Sequence, residues 1–330
     1  MKDHSSVYRQ YKQKVDDVMS GVIEKKYPAT LYEPIKYVLS SGGKRIRPMM
    51  VIFSCEAFGG KIEDALNAGV AMELLHNFTL VHDDIMDNAD VRRGMETIHK
   101  KWNANVAILS GDHLIGLAYE YLLRTNSNRI NDILKIFSEG ITEVCEGQSY
   151  DKEFEERSDV TSSEYLMMIG KKTAKMLETS AAIGALIGGA DNEQAANMKQ
   201  YAKNTGLAFQ IQDDLLDINA DETEFGKRIG GDIVEGKKTF LLLRALEKVK
   251  ETSDRTKLMD IVKYNGLKEY DESKIMEIKN IYSKYGIIED AKNDIENYTK
   301  LADQRLDILA DGESKDRLKW LSSMLMDRSF

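Results

Sequence analysis

Proline is scarce in this chain, and none follows Pro48. Because proline removes a backbone donor and breaks helices, so long a proline-free stretch, rich in leucine, alanine, isoleucine, lysine and glutamate, favours helix throughout. The alternation of β-branched residues that marks strands is rare as well. The sequence therefore predicts an all-α fold. We expect one domain over residues 1–330, because no linker, fixed-period repeat or low-complexity segment divides the chain.

Cysteine is also scarce: Cys55 and Cys145 stand alone, without CxxC spacing. This argues against a disulfide framework or a zinc site, and it fits the reducing cytoplasm. The longest run of small apolar residues, 181–190, has about half the length that spans a bilayer, and it predicts close packing of helices instead. The N-terminal residues lack the apolar core of a signal peptide. We therefore expect a soluble, cytoplasmic protein that is not integral to a membrane.

Positive charge is in deficit, since the formal net charge is -9. A general nucleic-acid binder needs a basic surface that neutralises phosphates, so this class is disfavoured and no nucleic-acid partner is expected. Hydrophobic residues make up 42% of the chain, which is enough for a substantial core. A locally basic pocket for a small anion remains compatible with the overall balance.

Two short acidic clusters dominate what the chain does contain. Each has the spacing DDxxD and follows an apolar run, so each is predicted at the end of a helix; the residues are Asp83, Asp84 and Asp87, and Asp213, Asp214 and Asp217. On a helix, the first and last aspartate of such a cluster lie one turn apart, and their like charges repel. A cation that holds the carboxylates together explains the pattern best. Two clusters suggest two sides of one metal-binding cleft.

Basic residues accompany these clusters, at Lys44–Arg47, Arg92–Arg93, Lys171–Lys172, Lys227–Arg228 and Lys237–Lys238. Acidic and basic groups would pair directly unless a ligand required both. A diphosphate bound through Mg²⁺ does require both, because the metal takes carboxylate oxygens while lysine or arginine takes the remaining phosphate oxygens. An all-oxygen ligand set favours Mg²⁺ over zinc, and no GxxxxGK[ST] loop for a nucleoside triphosphate occurs. The chemistry indicated is the metal-assisted departure of a diphosphate.

Further motifs occur in a fixed order between Gly42 and Thr239. They are GKRIRP at 43–48, His76–Asp87 with Arg92–Gly94 in a turn, Gly111-Asp112, Gly147-Gln148 with Asp151, Lys172-Thr173, FQIQDDLLD at 209–217, and Gly226–Arg228 with Gly236-Lys237. Together they resemble the trans-isoprenyl (polyprenyl) diphosphate synthases of the short-chain type. The resemblance implies a helical bundle around a deep central cavity, usually as a homodimer. It also implies condensation of isopentenyl diphosphate with an allylic diphosphate, assisted by three Mg²⁺ per active site.

The resemblance also implies roles by position. The metal would be bound by Asp83, Asp84, Asp87, Asp213, Asp214 and Asp217; the allylic diphosphate by Arg92, Lys172, Lys227 and Lys237; and isopentenyl diphosphate by Lys44, Arg47, His76 and Arg93. Among the metal residues, Asp83, Asp87 and Asp213 would bind directly and the others would support them. Lys172, Thr173 and Gln210 would serve catalysis, the last two beside the allylic carbon where positive charge develops.

Product length in this family depends on bulky residues that stop the growing chain. Phe78 lies five positions before Asp83, roughly 7.5 Å along a helix at about 1.5 Å per residue. Thr79, the next residue, is small. An aromatic residue at this position resembles synthases that make geranylgeranyl diphosphate, or farnesyl and geranylgeranyl diphosphate together. We expect geranylgeranyl diphosphate, with farnesyl diphosphate or a mixed or longer product as alternatives.

Three other classes of protein share part of this pattern. A terpene cyclase shares the first cluster but normally lacks the second cluster and the GKRIRP motif. A non-catalytic partner subunit would be expected to have lost aspartates, and none is missing here. A scaffold or nucleic-acid protein is disfavoured by the acidic balance. The complete, ordered set of motifs therefore favours the synthase.

Overall fold

The computed structural model describes residues 3–219, 229–264, 266–267 and 269–327 of the chain. Its α-helices in chain order are α1 (His4–Ser20), α2 (Ala29–Ser40), α3 (Ile46–Ala57), α4 (Ile62–Met86), α5 (Ile98–Lys101), α6 (Ala104–Leu123), α7 (Ile130–Glu156), α8 (Ser162–Ile169), α9 (Lys175–Gly188), α10 (Asn192–Asn219), α11 (Gly231–Val234), α12 (Phe240–Lys248), α13 (Thr252–Lys263), α14 (Glu272–Lys284), α15 (Ile287–Arg305) and α16 (Glu313–Asp327). A π-helical segment, Gly170–Ala174, joins α8 to α9. The predicted all-α class is confirmed.

One small hairpin interrupts the helices, with strands β1 (Val91–Arg92) and β2 (Met95–Glu96). The strands are antiparallel, and Arg92 pairs with Met95. Arg93 and Gly94 at its tip both have positive φ, 53° and 76°. The sequence predicts only a turn here, because strands of two residues are too short to show an alternating pattern. Pro34 lies inside α2.

The described residues belong to two compact units, each built from separate segments. Unit 1 falls within Met1–Ile141, Met176–Lys199 and Ile308–Leu321, and unit 2 within Thr142–Lys175, Gln200–Asp307 and Ser322–Phe330. Within the described ranges, no helix combines the length and apolar character needed to cross a membrane.

The core of unit 1 forms around α3, whose residues 49–53 are completely buried. Pro48 lies in the first turn of α3, where its missing N–H costs nothing. Two glycines of α9 let that helix approach α3 very closely. A Cβ atom at Gly184 would lie 2.1 Å from the Val51 carbonyl oxygen, and one at Gly188 would lie 2.2 Å from that of Cys55. The run of small residues therefore serves close helix packing, as its composition predicts.

The core of unit 2 gathers the apolar faces of α8, α10, α12 and α14. Helix α8 begins with a capping box, in which the Thr161 side chain accepts from the Glu164 N–H and the Glu164 carboxylate accepts from the Thr161 N–H. This pairing satisfies two otherwise free donors at the start of the helix, as the sequence TSSE predicts. The second acidic cluster lies near the end of α10, and the first lies at the end of α4.

Candidate active site

The first acidic cluster ends α4 and contains aspartates in different environments. Asp84 is buried and accepts a hydrogen bond from Nε of Arg92, at 2.5 Å. Burial raises the pKa of Asp84, and the Arg92 guanidinium opposes this shift. Asp83 is partly exposed, and Asp87, just beyond the last helical residue, is exposed. The structure therefore holds the middle aspartate inside and leaves the flanking aspartates accessible.

The second cluster, in α10, repeats this arrangement within unit 2. Asp214 is buried, and its Oδ2 accepts from the Tyr165 hydroxyl at 2.6 Å and from the Phe240 N–H at 2.9 Å. Its Oδ1 accepts from the Gln210 amide at 3.2 Å. Burial raises the pKa of Asp214 to about 7, although these hydrogen bonds favour the charged form. The middle aspartate is again fixed by protein donors.

The flanking aspartates of the second cluster, Asp213 and Asp217, are both partly exposed. Asp217 accepts a hydrogen bond from the Asp232 N–H at 3.2 Å. Partial burial and the negative charge of Asp232 raise the pKa of Asp217 to about 6. A positive charge near Asp217 would therefore be stabilising, because it would favour the ionised carboxylate.

The donors available in both clusters fit Mg²⁺. Across the part of the chain that the structure describes, no three His, Cys, Asp or Glu side chains form a ready-made cation cage. Mg²⁺ is commonly held by one or two carboxylates together with substrate phosphates, and it keeps several waters. Accessible carboxylates one helical turn apart suit this mode of binding. Asp83, Asp87, Asp213 and Asp217 are the residues that could hold the metal.

Four predicted anion-binding residues of unit 1 lie on the GKRIRP segment, α4 and the hairpin tip. Arg47 and His76 are partly buried, and their Nε and Nδ1 atoms have no hydrogen-bond partner within the described residues. Burial lowers the pKa of Arg47 to about 10, while burial and the Arg47 and Arg93 charges hold the pKa of His76 well below its usual range. Arg93 donates to the Gly42 carbonyl, and Lys44 is exposed. The Arg47 and Arg93 charges repel each other, and the buried Nε–H of Arg47 has no partner within the described residues, so a bound anion would be stabilising here.

Two of the predicted catalytic residues, Thr173 and Gln210, form a hydrogen-bonded chain with Asp214 in unit 2. Thr173 donates its hydroxyl hydrogen to the side-chain oxygen of Gln210 at 3.2 Å, and Gln210 donates in turn to Asp214. Lys172 lies beside Thr173 in the π-helical segment and pairs with Asp151 at 2.6 Å. Gly147 is essential to this packing, because a Cβ atom there would lie 2.4 Å from the Lys172 backbone nitrogen.

Two lysines were predicted in the segment that follows the second cluster. Lys237 pairs with Glu235 at 2.6 Å and with Asp232 at 3.4 Å. Burial opposes its charge, but Asp232 and Glu235 outweigh burial, so the pKa of Lys237 is raised. Because Asp232 also donates its N–H to Asp217, Lys237 is linked to the second cluster. Lys227 lies outside the described residues.

The residues predicted to set product length lie on α4 above the first cluster. Phe78 is buried and packs edge-to-face on His82, with ring centroids 4.8 Å apart. Gly111 of α6 adjoins the same histidine, and a Cβ atom there would lie 2.2 Å from His82 Nε2. Thr79 donates its hydroxyl hydrogen to the His76 carbonyl at 2.8 Å. Phe78 is thus buried against His82, and His82 in turn lies against α6.

Sequence reasoning missed Tyr165 and Asp232 as partners of the second cluster, and it missed the π-helical turn. Tyr165 is separated from Asp214 by 49 positions, so no local pattern connects them. The one signal that could have indicated a polar contact is the residue type, because the hydroxyl of a buried tyrosine needs a hydrogen-bond partner.

Comparisons with known proteins agree with this geometry. The sequence model of the family described as "Polyprenyl synthetase" matches residues 28–282. A short chain isoprenyl diphosphate synthase of Methanothermobacter thermautotrophicus is 36% identical over 99% of both chains. A geranylgeranyl diphosphate synthase of Sulfolobus acidocaldarius is 42% identical over 87% of both chains. The crystal structure of geranylgeranyl pyrophosphate synthetase from Pyrococcus horikoshii superposes with a TM-score of 0.92, at 36% identity, covering 99% of this chain and 100% of that one. The predicted isoprenoid-synthase type of fold is therefore confirmed, and this chain belongs to the polyprenyl synthetase family.

Proposed function

We propose that this protein is a trans-prenyltransferase that condenses isopentenyl diphosphate with allylic diphosphates and makes chiefly geranylgeranyl diphosphate. The observation that carries the proposal is the repeated design of the two DDxxD clusters, each with a buried, hydrogen-bonded middle aspartate and accessible flanking aspartates. The names of the relatives from Sulfolobus acidocaldarius and Pyrococcus horikoshii support the product.

The accessible aspartates Asp83, Asp87, Asp213 and Asp217 would hold Mg²⁺, with three ions per active site. When bound, Mg²⁺ neutralises the charge that develops on a departing diphosphate. Asp84 and Asp214 would support these ligands from inside the protein. Their hydrogen bonds restrain the ends of α4 and α10, which would reduce the reorganisation that the accessible carboxylates need on binding.

The basic residues would orient the two substrates. Lys172, Lys237, Lys227 and Arg92 would hold the allylic diphosphate, and Lys44, Arg47, His76 and Arg93 would hold isopentenyl diphosphate. Arg92 engages Asp84 through Nε, which leaves its terminal nitrogens for a phosphate oxygen. A fixed cation attracts a bound phosphate more strongly at a partly buried site than in water, because the electrostatic interaction is less screened there.

The reaction would proceed by ionisation, condensation and elimination. The allylic C–O bond breaks, and both of its electrons leave with the diphosphate. The double bond of isopentenyl diphosphate then attacks the allylic cation, and a proton leaves the adjacent carbon to a diphosphate oxygen. The oxygens of Thr173 and Gln210 would stabilise the cation, since they carry partial negative charge at fixed positions.

The buried Phe78 would limit the growth of the chain. We expect Phe78→Ala to shift the products toward longer prenyl diphosphates, because truncation opens space beside His82. Chromatography of the dephosphorylated products measures the shift. Phe53→Ala is the matched control, because Phe53 is a completely buried aromatic of α3 in the same unit. Unchanged product length in Phe78→Ala would remove Phe78 from this role.

Three further features belong to this proposal. The chain would form one domain, because the family match over residues 28–282 includes segments of both compact units. It would act as a homodimer, as the resemblance implies. A reducing, cytoplasmic location is supported by Cys55 and Cys145, which are both free thiols.

The test is incubation of the purified protein with labelled isopentenyl diphosphate, an allylic diphosphate and Mg²⁺. We expect incorporation of label into an elongated linear product, and loss of incorporation when EDTA removes the metal. Dimethylallyl, geranyl and farnesyl diphosphates should each be tried as starters. A cyclic hydrocarbon would identify a terpene cyclase instead, and no product from any starter would indicate a non-catalytic subunit. Either result would overturn the proposal.

A further inference from the structure

Helix α1 lies outside the residues matched by the family, which begin at residue 28. It nevertheless makes two polar contacts with the segment that carries Lys44 and Arg47. Both contacts lie within unit 1, and both come from side chains on one face of α1, Tyr8 and Asp16. Helix α1 therefore contacts the GKRIRP segment through two side chains.

Tyr8 fixes the backbone at Lys44. Its hydroxyl donates to the Lys44 carbonyl, and its ring packs edge-to-face on Trp320 with centroids 5.4 Å apart. The side chain is buried, and burial raises the pKa of Tyr8 to about 12, so the hydroxyl keeps its proton at neutral pH. The Lys44 carbonyl is therefore anchored while the Lys44 side chain remains exposed.

Asp16 fixes the next residue, Arg45. Nε of Arg45 donates to Asp16 at 2.7 Å, and Nη1 donates to Glu73 of α4 at 2.7 Å and to the Gly42 carbonyl at 3.2 Å. The side chain of Arg45 is only 3% exposed. A buried guanidinium needs both carboxylates, because removing one would leave charge uncompensated in a poorly solvated place.

The backbone of this segment requires such anchoring. Arg45 has φ of 56°, in the left-handed region that residues with a Cβ rarely adopt. Gly42 and Gly43 before it also have positive φ, 71° and 148°. A non-glycine residue keeps this conformation only when its surroundings hold it there. The side-chain contacts of Arg45 and the carbonyl contact at Lys44 supply that restraint.

We infer that Tyr8 and Asp16 of α1 are positioning residues for isopentenyl diphosphate, because they hold the GKRIRP segment in the conformation that presents Lys44 and Arg47. This inference rests on the proposed function. It adds a segment outside the family match to the substrate-binding machinery. It also predicts a selective effect, since the hydrogen bonds of the Tyr8 and Asp16 side chains go to Lys44, Arg45 and Lys12, which all belong to unit 1.

The test compares Tyr8→Phe with Tyr11→Phe. Both remove one hydroxyl from α1, but the Tyr11 hydroxyl donates to Glu56, at 2.6 Å, and not to the GKRIRP segment. We expect Tyr8→Phe to raise the KM for isopentenyl diphosphate about fivefold, the equivalent of one lost hydrogen bond. The KM for the allylic diphosphate and kcat should stay within about twofold. Tyr11→Phe should leave both KM values unchanged.

The second pair of variants is Asp16→Asn and Asp17→Asn. Asp17 is exposed on the same helix, and its side chain accepts a local hydrogen bond from Gln13, at 2.8 Å. We expect Asp16→Asn to raise the KM for isopentenyl diphosphate at least as much as Tyr8→Phe does, and Asp17→Asn to leave it unchanged. If Asp16→Asn does not fold, Tyr8→Phe decides the question, because it retains the buried ring.

The outcomes separate this inference from the proposed function. If the wild-type protein makes no elongated product, the proposed function itself fails. If the wild type is active and Tyr8→Phe behaves like Tyr11→Phe, only the positioning role is overturned. An equal rise in both KM values would also overturn it, because a general loss of structure would affect both substrates.

Discussion

The hydroxyl of Tyr165 offers a sharp test of how the second acidic cluster is built. In Tyr165→Phe, the ring stays and only the donor to Asp214 is lost, a hydrogen bond of 2.6 Å in a buried place. At a pH above the Asp214 pKa of about 7, where the carboxylate is charged, this hydrogen bond is worth roughly 1.5–3 kcal/mol, and Asp214 keeps two other donors. We therefore expect the free energy of unfolding to fall by about 2 kcal/mol.

The same substitution should lower kcat. Asp214 also holds Gln210, which accepts from Thr173, so a displaced carboxylate would disturb two residues that we propose lie beside the allylic carbon. Urea denaturation measures the stability, and the prenyltransferase assay at saturating substrates measures kcat. Both should fall in Tyr165→Phe, and additional Mg²⁺ should restore kcat only in part.

Tyr282→Phe is the matched control. Tyr282 is also completely buried in unit 2, and within the described residues its hydroxyl has no hydrogen-bond partner. Removing an unpaired buried hydroxyl costs little and can stabilise a protein. If Tyr165→Phe were no more destabilised than Tyr282→Phe and kept full activity, the reasoning about the fixed middle aspartate would be refuted.

The remaining predictions concern packing, thiol reactivity and pH. In urea denaturation, Gly184→Ala should lower the free energy of unfolding by about 1–3 kcal/mol, because its Cβ would lie 2.1 Å from a carbonyl oxygen of α3. The control is Gly116→Ala, whose Cβ would meet nothing within 4 Å; it should leave the free energy of unfolding unchanged or raise it slightly. A thiol reagent should label the exposed Cys145 in the native protein, and Cys55 only after unfolding. Cys55 is buried, and burial raises the pKa of its thiol to about 12. Rapid labelling of both cysteines in the native protein would contradict this prediction. Burial opposes the charge of Asp16, but the hydrogen bonds from Lys12 and Arg45 outweigh burial and lower the pKa of Asp16. The contribution of Asp16 to the stability of the fold is therefore present at neutral pH and lost in acid. The difference in unfolding free energy between the wild type and Asp16→Asn should therefore shrink as pH falls from about 5 to about 3; a constant difference would contradict the lowered pKa.

Local sequence predicts much of this molecule. The ends of α4 and α10 follow from apolar runs that stop at acidic clusters, and the start of α8 follows from its capping box. The close packing of α9 on α3 follows from a run of alanine and glycine. In each case the cause lies within about ten residues of the effect, so periodicity and composition are sufficient.

The different environments within each cluster could not be predicted in this way. Asp83 and Asp84 are adjacent and chemically identical, yet Asp84 is buried and accepts from Arg92, whereas Asp83 is partly exposed. The contact of Asp16 with Arg45 spans 29 positions and depends on the left-handed conformation of Arg45. The π-helical turn at Lys172 depends on the absence of a side chain at Gly147, which lies on another helix. Such contacts are decided by tertiary structure, and one sequence carries no local record of them.

We expect the chain to elongate allylic diphosphates and to stop at geranylgeranyl diphosphate. The decisive measurement is of the products of the wild-type protein, dephosphorylated and separated by chromatography after reaction with farnesyl diphosphate, isopentenyl diphosphate and Mg²⁺. Geranylgeraniol should be the main alcohol. Recovery of farnesol alone, with no alcohol longer than the starter, would contradict it.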